Sequence, residues 1–97
     1  MLDRLKDLWK LKGQMEEIKK RLDAMIIKVQ SKDGIFDITV TGSQEVKEVK
    51  ILKNLSAYTN AQIEEDLAQG FNKAMKEAQA MAAQVMGGIA GITPPEA

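Results

Sequence analysis

Between Gly34 and Gly42 the residues alternate strictly. Phe36, Ile38 and Val40 fall on one side, and Asp37, Thr39 and Thr41 on the other. A period of two is the signature of a strand with one face dry and one face wet. It constrains the whole chain, because such a strand needs neighbours in a sheet and something apolar to cover it. Both neighbours are at hand. Ile26, Ile27 and Val29 supply β-branched residues before the turn signal Lys32-Asp33-Gly34. Beyond Gly42-Ser43, the run Glu45 to Ile51 alternates more loosely, with Val49 and Ile51 sharing a face. Residues 25–52 therefore read as a three-stranded antiparallel meander with one dry side.

Helical spacing flanks this region. Leu8, Leu11, Met15, Ile18, Leu22 and Met25 step by threes and fours, which places them on one side of a helix from Leu2 to about Asp23. Leu2, Leu5 and Trp9 widen the stripe at the start, and Gly13 interrupts the helix at a cost of about 1 kcal/mol relative to Ala. After the sheet, Thr59 with Gln62 fits a capping box, with Asn60 a competing cap. Glu64, Glu65 and Asp66 read as acidic charge favoured near a helix N-terminus. Ile63, Leu67, Phe71, Ala74, Ala78 and Met81 continue an apolar stripe, with Phe71 expected in the core. Met15, Met25, Met75, Met81 and Met86 read as adaptable core filling. Gly87-Gly88 is the expected helix end, and the Gly/Pro-rich tail 87–97 is expected to be mobile. The order is α-β-β-β-α, an α+β single domain over 1–97. The seam of the first helix has two readings. One is core packed within the protomer against the last helix, and the other is a contact between chains.

Composition narrows the function. With 97 residues, the chain is one domain at most. Cys and His are both 0, which removes thiolate and imidazole chemistry, disulfides and Cys/His zinc sites. No acidic loop spacing supports a hard-cation site, and no pair of catalytic groups stands at a suitable spacing. The expectation is a protein that is no enzyme, with no cofactor, metal ion or small-molecule substrate. Residues 1–12 carry charge at every turn, so they lack a signal-peptide core. The stretch Ala78 to Thr93 is too short and Gly-rich to span a membrane. Aromatics are only 4%, and a chain this short buries a modest share of its surface, which favours a partner subunit.

Several segments, in order, resemble the YbaB/EbfC family of bacterial nucleoid-associated proteins. They are Gly34-Ile35-Phe36-Asp37-Ile38-Thr39-Val40-Thr41-Gly42, Val46-Lys47-Glu48-Val49-Lys50-Ile51, Leu67-Ala68-Gln69-Gly70-Phe71-Asn72-Lys73-Ala74, and the Gly-rich end from Gly87 to Pro94. The resemblance covers nearly the whole chain. It implies a small cytoplasmic, nucleoid-associated homodimer with joined sheets and projecting helical arms, which binds double-stranded DNA and changes its conformation or compaction. The chain departs from the family pattern in two places: members tend to carry a basic residue where it has Asp37, and several carry two adjacent basic residues where it has Lys47-Glu48.

Charge shows where DNA would lie. Lys+Arg and Asp+Glu are each 14, so the net charge is zero. The distribution is uneven, with local sums of +2 over residues 1–23, +1 over 24–53 and −3 over 54–97. The candidate DNA-binding residues are Lys6, Lys10, Lys19, Lys20 and Arg21 on the first helix, with Lys47 and Lys50 near the third strand. The plainer reading of these side chains is a solvated face, with Glu16/Lys20 and Glu17/Arg21 as i, i+4 pairs, and lysines guarding an edge strand. Phosphate contacts would position a duplex without reading bases, so little sequence preference is expected. A second function fits the neutral charge and Asp37: a dimeric protein-interaction scaffold with weak or lost DNA binding. Steep salt dependence of duplex binding separates the two.

Overall fold

A computed structural model describes residues 2–90. Helix α1 spans Leu2–Ala24, followed by strands β1 (Ile26–Gln30), β2 (Phe36–Thr41) and β3 (Val46–Ile51). A single 3-10 turn at Leu55–Ala57 leads into α2, Asn60–Ala90. The sheet order is β1-β2-β3, antiparallel throughout. The α-β-β-β-α order and the meander match the sequence expectation.

The alternation of β2 translates directly into packing. Phe36, Ile38 and Val40 are buried, while Asp37 and Thr39 are half-buried on the other face. Ile27 and Val29 of β1 join them, with Ile35, Ala74 and Ala78, in one core. Helix α2 lies across β1 and β2. Its closest residues are Asp66, Gly70, Ala74 and Ala78, spaced by four and all buried. Small side chains on this line let the helix sit low on the sheet. At Gly70 a Cβ would lie 2.7 Å from Ile38 Cδ1 and 3.1 Å from Ser31 Cβ, so even a methyl group there forces Ile38 to shift.

Three sequence expectations are corrected here. Phe71 is half-buried, because it flanks the small-residue line instead of lying on it. Gly87 and Gly88 do not end α2, which continues to Ala90. The αL geometry that makes glycine a terminator is absent there, since Gly34 is the glycine with positive φ among the described residues. The rest of the expected tail, 91–97, lies outside the described residues. Finally, the seam of α1 is not intramolecular core. Ile18 and Leu22 are half-buried at the sheet end of the helix, while Leu8, Leu11 and Met15 are exposed.

The root of α1 is firm. The backbone N–H of Gly42 donates to the Leu22 carbonyl at 2.9 Å and to that of Met25 at 3.2 Å. Ser43 Oγ donates to Asp23 Oδ1. A Cβ at Gly42 would strike the Leu22 carbonyl oxygen at 2.9 Å, so glycine is required for this approach. The far half of α1 stands clear of the sheet, and the molecule measures 65 × 24 × 18 Å.

Candidate nucleic-acid interface

At about 100° per residue around a helix, the side chains of α1 sort into two faces. Lys6, Lys10, Lys20 and Arg21 fall within an arc of about 100°. Leu8, Leu11 and Met15 lie on the opposite side. Both faces are solvent-exposed. The apolar side forms an open groove lined by Leu8, Leu11, Lys12, Met15, Glu16 and Lys19. One helix therefore offers an outward surface of four cations with Glu17 among them, and an apolar surface behind it. Along the axis, Lys6 to Arg21 spans about 22 Å at 1.5 Å per residue.

The other candidates are placed differently. Lys19 falls about 100° outside the basic arc, and its Nζ is 3.8 Å from Asp23 Oδ2. Arg21 pairs with Glu17 at 3.7 Å. These are exposed i, i+4 pairs, individually worth little and open to exchange for other anions. Glu16/Lys20 is not among the ion pairs of the described residues. Lys47 and Lys50 belong to β3. Lys47 occupies a bulge, since Thr39 pairs with Glu48 and Val40 with Val46. Lys50 stands opposite Asp37, and its Nζ lies 3.5 Å from Glu48. Two carboxylates thus offset Lys50 on the open sheet face, whereas the arc on α1 keeps Lys6, Lys10 and Lys20 outside any ion pair among the described residues.

A second constellation escaped the sequence reading. Asp66 was expected to serve the helix N-terminus, yet the first turn of α2 holds no acid. That turn is closed by the capping box: Thr59 N–H donates to Gln62 Oε1 at 2.9 Å, and Gln62 N–H to Thr59 Oγ1 at 3.2 Å. Asp66 instead accepts from Ser31 Oγ at 2.5 Å, Asp33 N–H at 2.7 Å and Ile35 N–H at 3.3 Å. Burial pushes this carboxyl up, but the bond from Ser31, the two backbone bonds and the charge of Lys53 outweigh it and hold it below the usual value of 3.8. Gln69 adds a bond from Lys32 N–H at 2.8 Å. The group fastens α2 to the β1–β2 turn. The signal for it was the spacing of four from Asp66 through Gly70 and Ala74 to Ala78, which puts the acid on the buried line.

The chain is a small α+β protein whose helical arm is rooted at one end and exposed on two faces. The YbaB/EbfC DNA-binding family matches residues 1–93, and the chain belongs to that family. It is 32% identical to a nucleoid-associated protein of Flavobacterium johnsoniae, over 98% of this chain and 86% of the relative. It is 31% identical to a nucleoid-associated protein of Dictyoglomus turgidum, over 88% of this chain and 83% of that one. In fold it is similar to the crystal structure of an uncharacterized Helicobacter pylori protein, with TM-score 0.66 at 15% identity, covering 80% of this chain and 92% of the other.

Proposed function

We propose that the protein is a nucleoid-associated, cytoplasmic homodimer that binds duplex DNA through backbone phosphates and changes its conformation or compaction. The observation that carries this is the arc of Lys6, Lys10, Lys20 and Arg21 along the exposed face of α1. Its family and the names of its relatives support the same reading. Phosphates are present in every sequence, so the contact carries little preference. Lys19, Lys47 and Lys50 contribute less, because none lies on the arc: Lys19 falls about 100° outside it, and Lys47 and Lys50 belong to β3. Among the described residues no helix is long and apolar enough to cross a membrane. The apolar residues of β3 and of the α1 groove are the surfaces available to a second copy.

The test is duplex binding measured over a series of salt concentrations. Replacing Lys6, Lys10, Lys20 and Arg21 by Gln should weaken binding to all sequences alike. It should also flatten the slope of log affinity against log salt, since fewer counterions are released. Replacing Lys73 and Lys76 on α2 is the control and should do neither. One observation favours a second reading, a protein-interaction scaffold: the exposed row Leu5, Leu8, Leu11 and Met15 on the same arm. Wild-type protein that shows no salt-sensitive duplex binding would decide for it.

A further inference from the structure

Gly13 is in the middle of α1, where glycine weakens a helix. Elsewhere the fold explains its close-packed glycines, since a Cβ at Gly42 or Gly70 would collide with a neighbour. At Gly13 a Cβ would meet nothing within 4 Å. The penalty therefore has no compensation within the protomer. Its position on the helix is informative. At about 100° per residue, Gly13 lies between Lys6 and Lys20 on the cationic arc, about 160° round from the Leu8–Leu11–Met15 stripe. A chain docked on that stripe would gain nothing from a missing Cβ on the opposite side.

One turn earlier is Trp9, the only tryptophan of the chain. It is 69% exposed, with Lys12 Nζ 5.6 Å from its ring centroid. Glu17, the carboxylate next to Gly13 on the arc, is held by Arg21 at 3.7 Å. The neighbourhood thus combines bare helix backbone, a large flat ring with an indole N–H, and flanking cations with the carboxylate of Glu17 among them.

We infer that Gly13 and Trp9 form a close-approach site for duplex DNA, in which the bare backbone admits the sugar–phosphate wall of a groove and the indole covers the sugars beside it. The inference rests on the DNA-binding reading above and specifies its centre. Cations act more strongly at shorter range, so a notch that lets the helix come nearer strengthens every phosphate contact on the arc. The indole N–H is a donor without an acceptor function, which suits a phosphate oxygen.

The experiment uses full-length protein and a random-sequence duplex. Gly13→Ala should raise the melting temperature, because Ala is the better helix former, and yet weaken duplex binding. Gly13→Leu should weaken it by about tenfold or more, a loss near 1.4 kcal/mol. Wild-type Trp9 fluorescence should change on adding duplex, and Trp9→Ala should bind about tenfold more weakly. Salt-sensitive wild-type binding with unaltered affinity in Gly13→Leu overturns this inference alone. A wild-type protein that binds no duplex overturns the underlying reading as well. If Gly13→Leu changes the oligomeric state in light scattering, the site is a protein contact and the inference is wrong.

Discussion

Asp66 ties the stability of this protein to pH. Its carboxylate is buried and collects a hydroxyl and two backbone N–H groups from the β1–β2 turn. Because folding holds its pKa below 3.8, the stabilisation is complete above the unfolded value. It is lost as pH falls through the lower, folded value. Asp66→Ala leaves the turn's donors unpaired and should cost about 3 kcal/mol at neutral pH. Asp66→Asn should lose less, and its disadvantage against wild type should shrink in strongly acid solution. Denaturant unfolding over a pH series measures both, and a difference that stays constant into acid would show that the carboxylate charge plays no part. The residue type was visible in the sequence but its task was not. Three consecutive acids look alike until the spacing to Gly70, Ala74 and Ala78 shows which one faces inward.

At the scale of elements, the strand and both helices were legible because period and caps are local properties. The cover over each apolar face was not. Val49 and Ile51 alternate as a dry sheet face should, and the bulge at Lys47 brings Val46 onto the same face, so the three neighbour Ile38, Phe36 and Val40 in register. They are nevertheless exposed, Ile51 at 58%, because α2 covers β1 and β2 and leaves β3 outside. Likewise the three-four spacing of α1 marks its apolar side without saying what meets it. The core should follow observed cover. Ile38, fully buried, should lose about 3–5 kcal/mol on replacement by Ala, and half-buried Phe71 clearly less. Gly70→Ala should cost about 1–2 kcal/mol through overpacking against Ile38 and Ser31. Thermal and denaturant unfolding would rank the three; Phe71→Ala as the most damaging would place the helix contact line wrongly.

For the whole molecule, the exposed β3 edge and the groove of α1 leave a large apolar surface without cover in one protomer. We expect a second copy to take it up. Val49→Lys and Ile51→Lys together should shift light scattering from dimer towards monomer while circular dichroism retains the helices and sheet. Charges on an exposed edge oppose pairing without disturbing a core they do not enter. A wild-type monomer at micromolar concentration would remove this expectation. The resemblance read from sequence supplied the class of partner early, because it rests on motif order. The exposure of the apolar stripe of α1 needed the structure, since it depends on where α2 lies.

The hydrogen bonds that root α1 at Gly42 and Ser43 also make it a ruler. A helix of 23 residues is about 34 Å long, close to one turn of duplex. Its anchored end keeps that length from being lost to swivelling. The arm therefore has a fixed footprint, and duplexes shorter than its cationic arc of about 22 Å leave cations facing water. Affinity should climb with duplex length until about six to seven base pairs per arm are occupied and then level off.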